Sequence, residues 1–290
     1  MRTIDENTLQ SYKNHLYIQE KSTNTIDKYI RDIRTFTAWL QTQEEKDITK
    51  DCVIRYKKYL EARYRPSSTN SMLTALNGFF EYTGWHDCRV KTLKTQPDHI
   101  YAQEKELTRA EYEKLITTAE EDGNLRLALL METLGCTGLR VSEIEFVTVE
   151  AVKQGKAGIS CKGKHRWIYL VHDLKMKLLS YCKKKNIRSG SIFITRNGTP
   201  LDRSNIWTEM KEIAKKAEIA LEKVFPHNLR HFFARVHYKA HKNISHLADI
   251  LGHSSINTTR IYTATTEEDH VKMLESLGLV VRATERKNTT

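Results

Sequence analysis

The sequence predicts a mainly α-helical chain with one small β-sheet. Three observations support this fold class: apolar residues recur at helical spacing along most of the chain, residues 157–171 alternate as strands do, and residues 86–105 lose periodicity. A length of 290 residues leaves room for one large domain or two ordinary ones, each with its own core. The predicted organisation is a helical unit at 1–86, a linker at 87–105, an α+β unit at 106–282 and a flexible tail at 283–290.

The first unit is predicted to contain four amphipathic helices. Their apolar residues return every three or four positions, as Ile26, Ile30 and Ile33 do in the second helix. Hydroxyl and amide residues stand where helices begin, and such side chains commonly cap the first turn. The four helices are expected at about residues 5–20, from after Ser22 to Leu40, at 51–62, and from Pro66 to near Trp85.

The second unit is predicted to begin at a capping box, because Glu111 follows Thr108 by three residues. An apolar helix from Leu125 to Leu134 is then expected to break at Gly135 and Gly138. The remaining predicted elements are a strand, tight turn and strand within 157–171, an extended run at 191–195, helices near 203–217, 227–240, 244–251 and 256–262, and a final amphipathic run over 271–277.

The charge balance predicts a polyanionic partner. The chain carries 47 basic and 36 acidic residues, a formal net charge of +11, which favours nucleic acid over a membrane surface. No apolar run approaches the roughly 18 residues that a membrane span needs, and the first residues lack the apolar core of a signal peptide. Five cysteines without a Cys-x-x-Cys pair indicate reduced thiols. We therefore expect a cytoplasmic, nucleoid-associated protein.

Polar and basic side chains on the first unit form a predicted DNA-binding set. Its members are Lys28, Arg31, Arg34, Ser68 and Asn70. Side chains of these types contact phosphates and base edges in protein–DNA complexes. The alternative is an ordinary solvated surface, and the helical periodicity fits both interpretations.

The stretch 226–262 gathers side chains suited to an anionic substrate. His227 and Arg230 are three positions apart and would share one helix face. His253 follows a predicted helix end, and Tyr262 lies on the next helical run. Imidazole, guanidinium and phenol groups that converge suit a phosphodiester. A tyrosine on an amphipathic helix usually packs in the core, so the functional interpretation of Tyr262 depends on these neighbours.

Two histidines four positions apart, His227 and His231, have the spacing of a zinc-binding helix. Position 228 is Asn, where such a site needs Glu, and no nearby cysteine or acid completes a ligand set. We therefore predict neither a metal nor another cofactor, and we expect His231 to lie in the core.

Two further basic residues have both a functional and a structural interpretation. Arg140 follows a Gly-Leu turn and could present its guanidinium to a phosphate, or it could brace a helix. Lys162 lies beside Gly163 in the predicted hairpin, where a mobile ammonium could donate a proton, or it could be a solvated strand residue.

At these residues the chain resembles the tyrosine recombinase, or phage integrase, family. The matching motifs are Thr-Gly-Leu-Arg-x-Ser-Glu at 137–143, the hairpin residue Lys162, His-x-Leu-Arg-His at 227–231, Leu-Gly-His at 251–253, and Tyr262 after Thr-Thr-Arg-x. The resemblance implies a four-helix, SAM-like core-binding domain followed by an α+β catalytic domain, in the compact layout of Xer-type members. Cys161 stands where many members have glycine, a mild departure.

The resemblance also implies a role for each site residue. Tyr262 would attack the scissile phosphate and form a 3′-phosphotyrosine, while Arg140 and Arg230 would bind the non-bridging oxygens. A phenol with a pKa near 10 needs a base and local positive charge to act at neutral pH. The remaining implied roles are protonation of the 5′ oxygen by Lys162, movement of the tyrosine proton by His227, a hydrogen bond from His253 to the phosphate, and support from Glu143. Lys164 and Arg166 of the predicted hairpin are further members of the predicted DNA-binding set.

The resulting expectation is a site-specific recombinase that acts as a homotetramer on two paired double-stranded DNA sites. The protomers would exchange their C-terminal segments, and an accessory DNA-bending or directionality factor is a further expected partner. Integration, excision and Xer-like recombination all remain open as the biological role. Two alternatives are a type IB topoisomerase, which relaxes DNA without exchanging partners, and a catalytically silent DNA-binding regulator.

Overall fold

The computed structural model describes residues 2–94, 106–161, 164–195, 197–262, 271 and 274–279. The chain divides into two compact units, Met1–Pro97 and Asp98–Thr290. The mainly helical fold class is confirmed. Among the described helices, none is long and apolar enough to cross a membrane.

The first unit consists of four helices around one apolar core. Asp5, Ser22 and Thr49 cap the first three helices with their side chains, and Pro66 is the first residue of the fourth. The helices are α1 (Glu6–Ile18), α2 (Thr23–Gln41), α3 (Lys50–Glu61) and α4 (Pro66–Tyr82).

The second unit combines helices and a two-stranded antiparallel sheet that share one large apolar core. Two 3₁₀ turns, Val141–Phe146 and Arg260–Tyr262, carry predicted site residues. The elements in chain order are α5 (Arg109–Glu121), α6 (Leu125–Thr137), α7 (Val149–Gln154), β1 (Lys156–Cys161), β2 (Lys164–Tyr169), α8 (His172–Lys184), α9 (Arg203–Lys216), α10 (Pro226–His241), α11 (Ile244–Leu251) and α12 (Ile256–Thr259).

Helix α6 runs through Gly135, where the sequence predicted a break. A Cβ at Gly135 would lie 2.6 Å from the ring of Tyr112, so glycine is required there for close helix packing. The helix ends at Gly138, whose φ of 66° is the left-handed conformation of a helix C-cap.

Two other differences concern elements in the middle of the second unit. Helices α7 and α8 were not predicted, although Leu174, Leu178 and Tyr181 give α8 a helical stripe of buried residues. The extended run predicted at 191–195 forms only isolated bridges among the described residues, so it is not a strand.

The hairpin has one buried and one exposed face. Strand register pairs Ala157 with Ile168 and Ile159 with Arg166, and side chains of such cross-strand pairs share a face. Ala157, Ile159 and Ile168 are buried, whereas Trp167 is 55% exposed. Arg166 is therefore placed on the inward face, where a charged side chain needs an acidic partner.

Candidate active site

Five of the six predicted catalytic residues lie in described parts of the second unit. Arg140 precedes a 3₁₀ turn, His227 and Arg230 lie on α10, His253 follows α11, and Tyr262 ends the last 3₁₀ turn. Lys162 lies outside the described residues, as does the side chain of Lys164.

Arg230 connects three segments that are distant in sequence. Its side chain is buried, with 1% exposure, and its Nη1 donates to the Gly138 carbonyl at 2.6 Å. Its Nη2 donates to the Leu251 carbonyl at 2.7 Å and lies 2.9 Å from His253 Nε2. Burial, with the nearby charge of Arg140, lowers the pKa of Arg230 to about 10. The group therefore remains a cation at neutral pH, fixed by two carbonyls and one imidazole.

The contacts of His253 determine which ring nitrogen carries its proton. Because a guanidinium can only donate, His253 Nε2 accepts from Arg230. The proton is then on Nδ1, which donates to Thr259 Oγ1 at 2.8 Å. Burial and the charge of Arg230 lower the pKa of His253 to about 4, so the ring is neutral. A hydrogen bond from Nε2 to a phosphate would require it to leave Arg230 and take up a proton.

Tyr262 is buried, with 4% exposure, and packs with Ala234, Leu247 and Leu251. Its ring meets the ring of His231 edge-on at 4.9 Å and lies parallel to the ring of His253 at 6.2 Å. The predicted nucleophile is thus held between two imidazoles.

Helix α10 places His227 and His231 side by side in this arrangement. Their rings meet edge-on at 4.5 Å, and His231 is 7% exposed, as expected for a core residue. The direct contact between this core position and the Tyr262 ring is not evident from the sequence pattern.

Glu143 positions the first arginine. Its two oxygens accept from Arg140 N at 2.8 Å, Arg140 Nη1 at 2.8 Å, and Arg166 Nη1 and Nη2 at 2.9 and 2.7 Å. Burial alone would raise the pKa of Glu143, but hydrogen bonds from Arg166 and Arg140 outweigh it and lower that pKa. The Arg140 side chain is 40% exposed, so part of its guanidinium remains available to a ligand.

Arg166, predicted to bind DNA, makes an internal contact in this structure. Its side chain is 14% exposed and forms a two-point ion pair with Glu143. It also packs against Gly252, where a Cβ would lie 2.7 Å from Arg166 Nη1. Gly252 has a φ of 63°, so both its conformation and its lack of a side chain suit this contact. The strand alternation that placed Arg166 inward was the signal for this role.

A cleft of about 500 Å³ lies where these groups converge. Arg140, His227 and Arg230 line it, together with Arg203 of α9. Burial lowers the pKa of His227, and the positive charges of Arg230, Arg140 and Arg203 lower it further. A lowered pKa favours the neutral ring, which can accept a proton. Cavity size alone does not identify the site, because a cleft of about 590 Å³ on the hairpin holds no predicted catalytic residue.

The predicted DNA-binding residues of the first unit fall into two groups. Lys28 forms an ion pair with buried Asp32 and donates to the Ser71 carbonyl, and Asn70 exchanges two hydrogen bonds with the Leu93 backbone. These contacts hold the unit together. The outward-facing members are Arg31, Ser68 and Arg34, the last paired with Glu6.

Burial of His231 leads to a prediction about stability and pH. Burial and the neighbouring charges lower its pKa from 6.5 to about 4, so the folded protein keeps the ring neutral. Below pH 6.5 the unfolded chain binds a proton that the folded chain does not, so stability falls as pH falls towards 4. The loss from this group is roughly 3 kcal/mol at pH 4.

Denaturant unfolding between pH 7 and pH 4.5 tests this prediction. His231→Phe keeps a ring but cannot bind a proton, so its stability should fall less steeply with acid than that of the unmodified chain. Equal slopes for the two proteins would contradict the neutral, buried assignment.

The described residues contain no group of three or more His, Cys, Asp or Glu side chains placed to hold a metal ion. Comparisons with known proteins match both units of the chain to one family. The phage integrase family model matches residues 105–269, and the N-terminal SAM-like domain of phage integrases matches residues 9–86.

Three similar proteins illustrate the match. Tyrosine recombinase XerA of Pyrococcus furiosus is 29% identical over 292 residues, covering 96% of this chain and 96% of that protein. Tyrosine recombinase XerD of Vibrio cholerae is 29% identical over 259 residues, covering 83% and 85%. The crystal structure of a lambda integrase (75–356) dimer bound to a COC′ core site has a TM-score of 0.71 at 19% identity, covering 90% and 95%.

Proposed function

Because the chain belongs to the phage integrase family and is a tyrosine recombinase that cleaves and rejoins DNA at specific sites, we propose that Tyr262 is its nucleophile. The observation that supports this assignment is the convergence of Arg140, His227 and Arg230 on one cleft. The Tyr262 ring lies parallel to the ring of His253, which in turn contacts Arg230. The comparisons do not favour a topoisomerase or a silent DNA-binding regulator.

The proposed reaction is a phosphoryl transfer, in which one phosphodiester bond is exchanged for a bond from phosphorus to Tyr262. The Tyr262 oxygen attacks phosphorus, its proton passes to neutral His227, and the bond from phosphorus to the 5′ oxygen breaks. Lys162 supplies the proton that the departing 5′ oxygen needs. The 3′-phosphotyrosine keeps the bond energy, so a 5′ hydroxyl from the partner strand reverses the step without ATP.

Two guanidiniums stabilise the negative charge that develops on the phosphate. Arg230 is fixed by carbonyls and Arg140 by Glu143, so both guanidiniums are held in a defined orientation before the reaction. Arginine forks match the paired non-bridging oxygens of a phosphate. This arrangement supplies charge stabilisation that other phosphoryl-transfer enzymes obtain from magnesium, and the proposed mechanism uses no cofactor.

The role of Lys162 gives a prediction that separates acid catalysis from binding. A 5′-bridging phosphorothiolate releases a thiolate, which leaves without being protonated. Lys162→Ala should therefore cleave this substrate at close to the unmodified protein's rate, while losing roughly 100-fold or more on ordinary DNA.

Single-turnover cleavage of the two substrates measures this difference. Lys164→Ala is the matched control, because it removes a neighbouring lysine from the same hairpin. If Lys162→Ala is equally slow on both substrates, Lys162 is not the acid, and Lys164 becomes the candidate.

DNA is the partner of this protein. We propose further that a homotetramer acts on two paired sites and exchanges C-terminal segments, with an accessory DNA-bending or directionality factor. The support is a stripe beyond Tyr262: Val271, Leu274 and Leu277 are 52%, 56% and 59% exposed in the single chain. Apolar side chains of a helix usually pack against another surface. The protein would act on nucleoid DNA in the cytoplasm, in integration, excision or Xer-like recombination.

A supercoiled plasmid that carries two copies of the recognised site tests the function. A recombinase yields deleted or inverted DNA and needs both copies, and sedimentation should show four protomers on the paired sites. Relaxation of a plasmid with one site and no exchange would indicate topoisomerase activity, and binding without any adduct would indicate a regulator.

A further inference from the structure

Helix α9 carries a stripe of basic and aromatic side chains to which the mechanism above assigns no contact with DNA. Arg203, Trp207 and Lys211 follow one another at four-residue spacing, so they lie along one face of the helix. Asp202 caps the helix by accepting from Asn205 N at 2.8 Å, which fixes the first turn where Arg203 lies. Basic and aromatic side chains that alternate along a surface are typical of a nucleic-acid strand site.

The first half of this stripe opens into the candidate active site. Arg203 and Trp207 line the cleft of about 500 Å³ that also contains Arg140, His227 and Arg230. Arg203 is exposed and forms no ion pair within the described part of the chain. Of the residues that the structure describes, Glu145 is the one carboxylate that lines the same cleft, so the net charge of the cleft lining stays positive.

Lys211 helps to hold Trp207 in its orientation. Its ammonium lies 4.9 Å from the centre of the Trp207 ring and donates to the Leu221 carbonyl. Trp207 lines both the active-site cleft and a second cleft of about 390 Å³ that Lys211 and Leu221 line. The indole is nevertheless 50% exposed, so an aromatic surface next to the cleft remains available.

We propose that Arg203 and Trp207 form a subsite for the nucleotide adjacent to the scissile phosphate. Arg203 binds the phosphate of that nucleotide, and Trp207 packs against its deoxyribose. Residues four apart on a helix are about 6 Å apart along its axis, so the two side chains reach adjoining parts of one nucleotide. The inference rests on the proposed function, because it concerns the DNA strand that Tyr262 would cleave.

The subsite would align the strand for attack. An enzyme gains rate by holding the reacting phosphorus and the nucleophile in register, and a second fixed phosphate restricts rotation about the first. Arg203→Ala should therefore slow cleavage about 10- to 100-fold while changing the affinity for a half-site only about threefold, since many other phosphate contacts remain. Arg203→Lys should recover part of the rate.

Neutralising single phosphates identifies the partner of Arg203. Adduct formation is measured on nicked half-sites in which phosphates flanking the cleavage position are replaced, one at a time, by methylphosphonate. At one position, the replacement should slow cleavage by the unmodified protein about as much as Arg203→Ala slows cleavage of unmodified DNA. The same replacement should cause no further slowing in Arg203→Ala. Replacements elsewhere should act independently of the variant. Arg188→Ala, which removes an exposed arginine outside the cleft, is the matched control.

Tryptophan fluorescence tests the second half of the subsite. Binding of a half-site should quench emission in the unmodified protein and in Trp167→Phe, but not in Trp207→Phe. Trp167 is the control because it is equally exposed on the hairpin, outside this cleft.

The outcomes separate three conclusions. If every methylphosphonate acts independently of Arg203, or if Arg203→Ala and Arg188→Ala behave alike, the subsite is wrong. If Arg203→Ala cleaves half-sites normally but fails to pair two sites, the stripe contacts a neighbouring protein molecule and the subsite is again wrong. If the unmodified protein forms no adduct on its own site, the proposed function fails instead.

Discussion

Tyr262→Phe is expected to abolish the covalent protein–DNA adduct and to lower strand cleavage by roughly 10⁴-fold or more, the effect of removing a nucleophile. The phenol oxygen is the only atom removed, and the ring keeps its contacts with His231, Leu247 and Leu251. The variant should therefore fold and bind its DNA site like the unmodified chain.

The measurement is denaturing electrophoresis of protein trapped on a nicked half-site, with DNA affinity measured in parallel. Tyr169→Phe is the matched control, because Tyr169 is 72% exposed on the hairpin and has no proposed chemical role. An adduct that persists in Tyr262→Phe would show that another group is the nucleophile. Tyr238, which packs in the same small apolar cluster, would be the first to examine.

Arg230→Lys should lose both cleavage and stability. An ammonium cannot reproduce a fork that reaches the Gly138 and Leu251 carbonyls and His253 together, so buried acceptors are left without a donor. The expected loss of stability is about 2–4 kcal/mol. Loss of one preorganised donor for the developing charge should lower cleavage by roughly 100- to 1,000-fold.

Arg140→Lys distinguishes the two effects. Arg140 is 40% exposed, so the same change there should alter stability by no more than about 1 kcal/mol while cleavage still falls strongly. Urea unfolding and single-turnover cleavage, measured on both variants, test the comparison. Full stability of Arg230→Lys would contradict the central structural position assigned to this residue.

Local periodicity was sufficient to predict most of the helices. Ser22 and Thr108 cap helices where the sequence indicates, because capping depends on residues within one turn. Gly135 was misinterpreted as a break because the reason for that glycine, the Tyr112 ring, lies 23 positions away. Helix propensity describes a residue and its near neighbours in sequence, so it does not account for a contact with a distant ring.

The candidate site was predicted as a set of residues but not as a network. The motifs identify Arg140, Glu143 and Arg230, yet nothing in their spacing indicates that Arg166 joins Glu143 across 23 residues. The same limit applies to Lys28, whose partner Asp32 is near in sequence but which also contacts Ser71 on another helix. A basic residue on a helix face can serve a ligand or its own fold, and the distinction depends on tertiary contacts.

The burial of Tyr262 affects how the enzyme distinguishes its own site from other DNA. Tyr262 is 4% exposed, so as the proposed nucleophile it would be out of reach of a phosphate in this conformation. The segment that ends at Tyr262 would have to leave its cluster with Ala234 and Leu251 before the phenol could react. Opening requires free energy, and only a bound DNA that interacts more strongly with the open form supplies it. DNA that lacks the recognised site and is held weakly would leave the tyrosine closed, so the protein would bind such DNA without nicking it.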